Sequence, residues 1–361
     1  MPTKPLHAGA VSPAFWRKKE VVSFCLSVLV FLIHISTFYN YTNIGVVSLP
    51  TMVFWRYVSE CITDFAVPMF FILSGAVFFR DYKKGSYVPK LKSRLRTLLI
   101  PFLVWNTIWM LFDLICTNTS ISELILARQK FAPTAANILN GIFHYGRNLP
   151  FWFLFALLCF VLISPLIDLI MRNKYVALGV IGTLWVLRLF DIGLPYPLFF
   201  KQSSLIFYLI GAYVGKHGFS LLLRPSSRKR QLLSVFALLL ISFAFYNLPA
   251  VSSAVLRNAF ADILDLLAAA AFWCAADLFA DKLGRFSFVG ASFAVFAMHT
   301  NVSAVVTKLC FYALPKKEAA GYANFFLTIV ITLMIIVIFY RIICRFFPKM
   351  AKVLFGRSYA K

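Results

Sequence analysis

Long apolar stretches recur along the whole chain and are separated by short polar segments. Of the 361 residues, 61% are hydrophobic and only 14% are charged, which excludes a soluble enzyme. A helix that crosses a bilayer needs about 20 predominantly apolar residues. Ten segments reach or approach that length: Val21–Tyr39, Ile62–Phe79, Leu98–Cys116, Phe151–Met171, Val176–Leu189, Phe199–Gly215, Leu232–Tyr246, Ala259–Leu278, Phe286–Phe311 and Ala323–Ile343. The pattern predicts an all-α fold, a polytopic membrane helical bundle of about ten transmembrane helices.

The distribution of basic residues predicts how this bundle is oriented. With ten spans and a cytoplasmic N-terminus, 26 of the 36 Lys and Arg residues fall on the cytoplasmic side and 10 on the other. Cytoplasmic loops carry such an excess of Lys and Arg, so both termini are predicted to be cytoplasmic. The predicted units are a cytoplasmic N-terminal segment over 1–20, a ten-helix membrane domain over 21–345 and a basic cytoplasmic tail over 346–361. The first apolar run is too long for a signal-peptide core, which predicts a retained helix.

Two further features bear on organisation and metal binding. The longest outer loop, Thr117–Pro150, has an apolar spacing that predicts a short amphipathic surface helix around 121–125. The seven cysteines show no CxxC or CxxH spacing, and nearly all lie inside apolar runs. We therefore expect them to be small core residues, and neither disulfides nor a metal site is predicted.

Ionisable residues inside spans are the first candidates for function, because burying them in a membrane is costly. His34 lies deep in the first run, and His299 lies at a matching depth in the ninth. Asp64 lies near the outer start of the second span. Asp64 and His299 have an alternative role, as buried polar groups that bond to a neighbouring helix or a backbone carbonyl. His34 is far from any helix end, which favours a functional role.

Further acidic and basic residues lie near the outer ends of the predicted spans. Asp262 and Asp265 share one helix face at i, i+3 spacing, and they are interpreted either as a structural pair or as part of a polar layer. Asp113 and Arg188 are interpreted as interfacial residues. Together with the two histidines, these groups predict a polar layer in the outer half of the bundle.

The cytoplasmic loop Arg80–Arg96 holds seven basic residues and one Asp. This excess has two interpretations: a topology signal that contacts anionic lipid, or an anion-binding site. Arg94 and Arg96 directly precede an apolar helix with Pro101 near its start. That position would place guanidinium groups at the mouth of the bundle, where they suit a phosphate or a nucleotide-like anion.

Several short motifs occur in one order along the chain. They are VPMFFILSGAVFF (67–79), SRLRTLLIPFLVW (93–105), LPFWFLFALLCFVLISPLI (149–167), SLIFYLIGAYVGK (204–216) and SFAVFAMHTNV (292–302). In this order the chain resembles the acyltransferase 3 family of integral membrane acyltransferases, over about residues 18–345. The matching positions are His34, Pro68, Ser74, Gly75, Arg94, Pro101, Trp152 and His299. One position departs: many members carry a basic residue 11 positions before the first histidine, where this chain has Ser23. That departure leaves open a divergent, inactive or repurposed branch.

The resemblance implies transfer of an acyl group, usually acetyl, from cytosolic acyl-CoA to a hydroxyl of an envelope glycan or a lipid-linked sugar. Such a protein would be a multi-pass component of a bacterial inner or plasma membrane. Arg94 and Arg96 would then bind the phosphates of acetyl-CoA, the acyl donor. A neutral histidine is suited to deprotonate the acceptor hydroxyl, so His34 is the expected base, Asp64 its orienting group and His299 the second candidate. Ser74, Asn301 and backbone N–H groups near Gly75 are the candidate oxyanion stabilisers.

A second function from another class stays open at this point. Intramembrane His and Asp residues also serve as proton relays, which suits a transporter or flippase for a lipid-linked glycan or an anionic solute. Against it, the sequence shows no two-half repeat of broken helices, which many transporters have. Nucleic acid is not an expected partner, because no soluble basic domain is predicted. The expected partners are membrane lipid, acyl-CoA and a glycan or lipid-linked sugar acceptor.

Overall fold

The computed structural model describes residues 12–117, 119, 131–193 and 200–356, and all regular structure in these ranges is helical. The main helices are α1 (Pro13–Ile33), α2 (Ala66–Phe79), α3 (Ile100–Thr117), α4 (Trp152–Leu162), α5 (Ser164–Met171), α6 (Lys174–Leu189), α7 (Gln202–His217), α8 (Arg228–Asn247), α9 (Ala254–Ala275), α10 (Ser292–Ala313) and α11 (Glu318–Phe346). Shorter helices are Thr37–Thr42, Leu49–Arg56, Tyr87–Arg94, Ala135–Phe143, Ser220–Leu223, Ala280–Leu283 and Pro348–Phe355. Single turns of π-helix (Tyr57–Cys61, Leu95–Leu99) and 3₁₀-helix (Leu149–Phe151, Leu248–Ala250, Ala276–Leu278, Ser287–Ala291) extend several of them.

The described helices confirm the predicted all-α polytopic membrane bundle. In the described ranges, seven helical segments are long and apolar enough to cross a bilayer, and the bent pair α4 and α5 makes an eighth. Helices α6 and α7 have 16 residues each, which is shorter than a typical span. The total of ten spans and the cytoplasmic position of both termini stay predictions.

The first predicted span is not one continuous helix. Helix α1 ends at Ile33, and His34 forms its C-cap; the short helix Thr37–Thr42 begins after a break. The residues at the break include Ser36, and Ser and Thr hydroxyls compete for backbone hydrogen bonds and favour helix ends over helix interiors. His34 therefore lies at the end of a helix with a half-buried side chain, and the expectation that it is far from any helix end was wrong.

The fourth predicted span, Phe151–Met171, is also broken. Helices α4 and α5 meet at an angle of 65°. Pro165 lies at the start of α5. Proline has no N–H to donate to the preceding turn, and its ring clashes with the carbonyl four residues earlier, so a bend at this point is expected.

Helices α2 and α7 cross at glycines. A Cβ atom added at Gly75 would overlap the carbonyl oxygen of Tyr208, and one added at Gly211 would overlap that of Ile72. Gly215 likewise faces the carbonyl of Ala76. Small residues let two membrane helices approach until their backbones touch, so these glycines set the distance between α2 and α7.

The segment that was assigned to a basic tail contains the helix Pro348–Phe355, which packs on the bundle. Three of its side chains are buried: Ala351, Leu354 and Phe355. The indole Nε1 of Trp105 donates to the carbonyl of Leu354 at 2.9 Å, which ties this helix to α3. Gly356 follows with φ of 65° and lies directly against the backbone of Thr97. This close approach and positive φ both favour glycine.

The loop between α3 and α4, which was predicted to be the longest outer loop, is described in part. The amphipathic helix that was predicted around residues 121–125 lies outside the described residues. The described part contains the helix Ala135–Phe143, whose N-cap Thr134 accepts a hydrogen bond from the N–H of Asn137. The carboxylate of Asp113 near the end of α3 lies 3.8 Å from Arg147 of this loop.

Candidate active site

The first helix and the ninth predicted span are held side by side by serine residues. The Oγ atoms of Ser27 and Ser292 are 2.8 Å apart, and Ser292 also donates to the carbonyl of Ser23 at 2.9 Å. His34 and His299 each follow one of these bonded serines by seven residues, which is two helical turns. The equal offset brings the histidines together, and their ring centroids are 5.3 Å apart.

The backbone of α10 fixes the hydrogen-bonding state of His299. This side chain is fully buried, and its Nδ1 lies 3.0 Å from the carbonyl oxygen of Val295 and 2.9 Å from that of Phe296. A carbonyl only accepts, so Nδ1 carries the hydrogen and Nε2 of the neutral ring is left as an acceptor. Among the described residues, Nε2 has no hydrogen-bond partner. It is an unused acceptor beside His34.

His34 is the more accessible member of the pair. Its side chain is half-buried at the end of α1, whereas His299 is enclosed by the bundle. Of the two histidines, His34 is therefore the one that a substrate hydroxyl can reach more readily. The arrangement suits proton transfer at His34, with a second imidazole next to it that can accept a hydrogen bond.

Asp64 does not join this pair. It lies in the turn that precedes α2, and in the part of the chain that the structure describes no hydrogen bond or ion pair links it to His34. Its carboxylate instead interacts electrostatically with those of Asp262 and Asp265 on α9. The neighbour of His34 is an imidazole rather than the carboxylate that was expected to orient it.

The acidic residues that were predicted to lie near outer helix ends form a separate cluster. Asp262 is paired with Arg188 at 3.1 Å and accepts a hydrogen bond from the indole of Trp185 at 3.0 Å. Asp265 is buried beside it, one helical turn away. These contacts join α6 to α9, which supports a structural role for Asp262 and shows that Arg188 is more than an interfacial residue.

A cavity of about 420 Å³ lies between α1, α2, α4, α10 and the helix Tyr87–Arg94, and Tyr208 of α7 also lines it. Its polar lining comprises Lys19, Ser23, Ser27, Ser74, Lys90, Ser93, Arg94, Thr97, Tyr208 and Ser292. Three of these side chains are cations, and no carboxylate lines the cavity among the described residues. Asp81 pairs with Lys90 at 2.6 Å, so the net positive charge of this partly enclosed space rests on Lys19 and Arg94, and it suits an anion.

Part of the cavity wall lies close to the histidine pair. Phe296 lines it, and the centroid of this ring lies 6.4 Å from that of His299. Ser27 lines it as well, two helical turns before His34 on α1. Neither histidine lines the cavity itself, so Phe296 and Ser27 are the wall residues that connect it to the helices of the pair.

The two arginines that were predicted to bind phosphate differ in their access to the cavity. Arg94 is half-buried and lines the cavity, with its guanidinium carbon 5.6 Å from the ring centroid of Phe78. Arg96 is exposed and does not line it. The difference follows from the local geometry, because successive residues of a helix point in different directions.

Two cations of the cavity, Lys19 and Lys90, were not singled out from the sequence. For Lys19 a signal was present: Lys19, Ser23 and Ser27 recur at a spacing of four and so share one face of α1. Lys19 does not match the family's basic position, where this chain has Ser23, but it lies one turn earlier on the same helix face. Lys90 gave no comparable signal, because it is one of several basic residues in its loop.

The candidate oxyanion stabilisers also differ in their position relative to the cavity. Ser74 lines the cavity and remains a candidate. Gly75 lies in the middle of α2, so its N–H is engaged in the helix, and its role is to allow the crossing with α7. Asn301 is buried on α10 beyond His299.

Comparison with known proteins places the chain among acyltransferases. The profile of the acyltransferase domain family matches residues 23–343, which is most of the chain. One similar protein is "Succinoglycan biosynthesis protein ExoH" of Rhizobium meliloti (strain 1021), with 26% identity over 166 residues. That match covers 45% of this chain and 44% of the relative, so it spans less than half of either protein. No solved structure matches the chain significantly.

Proposed function

The chain belongs to the acyltransferase 3 family, and from this premise we propose that it moves an acyl group, most simply acetyl, from cytosolic acyl-CoA to a sugar hydroxyl. The acceptor would be an envelope glycan or a lipid-linked sugar precursor, and the protein would act in a bacterial plasma membrane. One observation carries the proposal: the helices α1 and α10, which hold the pair His34 and His299, also form part of the wall of the cavity that Lys19 and Arg94 line.

The cavity suits the donor for reasons of charge and shape. Acyl-CoA is an anion with a pyrophosphate, a 3′-phosphate and a long, thin pantetheine arm. Lys19 and Arg94 supply positive charge at the end that the sequence assigns to the cytoplasm, where Lys90 is paired with Asp81. The apolar lining beyond them, which includes Phe153 and Phe296, suits the uncharged thioester arm.

The histidine pair suits the transfer step. The acceptor oxygen attacks the thioester carbonyl carbon while His34 takes the hydroxyl proton. The resulting tetrahedral intermediate collapses with cleavage of the carbon–sulfur bond, and the departing thiolate receives the proton from His34. The products are an ester and free CoA thiol, so no proton or electron is left over. Ser74, which lines the cavity, is the proposed donor to the oxyanion.

His299 is proposed to orient His34. Because Nδ1 of His299 donates to backbone carbonyls, Nε2 of the neutral ring acts only as a hydrogen-bond acceptor and not as a donor. If one N–H of His34 turns toward that acceptor, the other ring nitrogen keeps its lone pair for the substrate. This is the role that a carboxylate has in many acyl-transfer sites, here filled by a neutral imidazole.

An acceptor of the glycan class is supported by the similar protein, whose name places it in succinoglycan biosynthesis. The direct test is to incubate the purified protein with acetyl-CoA and an envelope glycan. We expect release of free CoA thiol together with acetyl ester on the glycan, measured by thiol titration and mass spectrometry. Consumption of acetyl-CoA without glycan acetylation would identify a hydrolase, and no consumption with any acyl-CoA and glycan would contradict the proposal.

The two arginines provide a matched test of the donor site. Arg94→Ala is expected to weaken acetyl-CoA binding by roughly 1.5–3 kcal/mol, the usual effect of losing a charge-assisted hydrogen bond. Arg96→Ala removes the same charge two residues away, outside the cavity, and is expected to leave the affinity near that of the wild type. Calorimetry or fluorescence titration of both variants measures this difference. Equal affinities for Arg94→Ala and the wild type would show that the cavity does not hold the phosphates.

A further inference from the structure

A shallow groove opens beside the cavity, on the loop between α2 and α3. It is lined by Asp81, Lys83, Lys84, Gly85, Ser86, Pro89, Lys90 and Ser93. Lys90 and Ser93 line both the groove and the cavity. The two spaces therefore adjoin, and one extended ligand can occupy both.

The backbone of the loop holds the groove in one shape. The N–H of Lys83 donates to Oγ of Ser86 at 2.9 Å, and the N–H of Ser86 donates back to the carbonyl of Lys83 at 2.9 Å. Gly85 completes the turn with φ of 86°, a conformation that favours glycine. This turn fixes the backbone from which Lys83 and Lys84 extend.

The charges of the groove are not balanced. Nζ of Lys90 is bound to Asp81 at 2.6 Å and to the carbonyl of Phe78 at 2.8 Å. Burial opposes ionisation of Asp81, but the hydrogen bond and charge of Lys90 and the charge of Arg80 outweigh it and hold the pKa of this carboxyl below its usual value. Asp81 therefore stays ionised and neutralises Lys90.

Lys83 and Lys84 differ from Lys90 in this respect. Both side chains are exposed at the groove, and within the described ranges neither forms an ion pair. Two adjacent cations without a counter-charge, next to a neutralised third one, leave the groove with a net positive charge. Such a surface suits a compact, doubly charged anion such as a phosphomonoester.

We infer that this groove binds the terminal 3′-phosphate of the acyl-CoA nucleotide, with Lys83 and Lys84 as its cationic partners. The inference rests on the proposed function, since it assigns one end of the same donor. The 3′-phosphate lies on the nucleotide, at the opposite end of the donor from the acyl group. The donor then extends from the groove past Lys90 and Ser93 into the cavity, with its pyrophosphate near Arg94 and its thioester toward His34.

The test uses a ligand pair that differs only in this phosphate. Binding of CoA and of 3′-dephospho-CoA to the purified full chain is measured by titration, for the wild type and for the double variant Lys83→Ala/Lys84→Ala. The wild type is expected to prefer CoA by roughly 10- to 100-fold, because charge-assisted hydrogen bonds to the phosphate are lost in the shorter ligand. In the double variant this preference should fall to about 1, while its affinity for 3′-dephospho-CoA is unchanged.

A matched control removes two other exposed lysines, which are also predicted to lie on the cytoplasmic side of the membrane. Lys349→Ala/Lys352→Ala makes the same change in net charge, but neither residue lines the groove or the cavity. It is expected to keep the wild-type preference for CoA. Loss of the preference in both double variants would show a diffuse charge effect and would overturn the inference.

The remaining outcomes separate the inference from the proposed function. If the double variant keeps the preference for CoA while the wild type transfers acetyl from acetyl-CoA, the groove is not the phosphate site but the function stands. If the double variant keeps the preference for CoA but retains less phosphatidylglycerol than the wild type in native mass spectrometry of the detergent-purified protein, the groove is a lipid headgroup site and the inference is wrong. If the wild type neither binds CoA nor consumes acetyl-CoA, the proposed function fails and the inference fails with it.

Discussion

Replacing His34 with Gln is expected to lower the rate of acyl transfer by about 10²- to 10⁴-fold, the contribution of a positioned general base. Gln keeps a hydrogen-bonding side chain at the end of α1 but cannot take up a proton at neutral pH. His34→Ala should be similarly inactive. Because the side chain is half-buried and has no hydrogen bond within the described ranges, both variants should express and melt in detergent like the wild type.

The control for this prediction is a His→Gln change away from the site. His217 lies at the end of α7, where its Nε2 is 2.8 Å from the carbonyl of Met171, and His217→Gln should keep full activity. A purely structural role for His34 would give the opposite pattern, with Gln active and Ala poorly folded. Wild-type transfer by His34→Gln would exclude His34 as the base and leave His299 as the next candidate.

Replacing Gly211 with Leu is expected to prevent the protein from folding. A side chain there would overlap the backbone carbonyl of Ile72, and a backbone cannot move aside as the end of a flexible side chain can. Gly211→Ala is the milder form and should lower stability by about 1–3 kcal/mol, the usual effect of overpacking. Expression level and thermal unfolding in detergent measure both effects.

Helix α6 provides the matching control. Gly179 and Gly182 lie within this helix, and a Cβ atom added at either position would meet no other atom within 4 Å. Changing either residue to Ala should leave stability unchanged or raise it by about 0.5–1 kcal/mol, since Gly weakens a helix relative to Ala. Destabilisation of Gly179→Ala as large as that of Gly211→Ala would show that helix propensity, rather than the crossing, explains the effect.

The sequence predicted the helical class and the general position of the site because both depend on local patterns. Apolar run lengths are enough to locate membrane helices, and the equal depth of His34 and His299 was visible by counting from the predicted cytoplasmic ends. The distance of 5.3 Å between their rings was not predictable, because it also requires that α1 and α10 be neighbours. The hydrogen bond between Ser27 and Ser292 provides that contact across 265 positions of the chain.

Features that depend on contacts between distant segments could not be predicted from the sequence. The role expected of Asp64 was argued from its position near an outer helix end, but its neighbours are set by the packing of α9. The sequence could not show which of Arg94 and Arg96 lines the cavity, because that depends on the orientation of their helical segment. The helix Pro348–Phe355 was assigned to a polar tail by its lysines, yet a single bond from Trp105 and three buried side chains attach it to the bundle.

The glycine crossing of α2 and α7 also determines which parts of the protein can move. The backbones of the two helices touch at Gly75, Gly211 and Gly215, so no layer of side chains lies between them along which one helix could slide. We therefore expect α2 and α7 to move as one rigid body. That body carries one wall of the cavity, including Ser74 and Tyr208. The opposite wall belongs to α1 and α10, which the serine contacts join into a second body. Between them, α1 meets α2 through ordinary apolar side chains. We expect the opening motion that admits a donor and releases CoA to follow this seam, as a rocking of one pair of helices against the other.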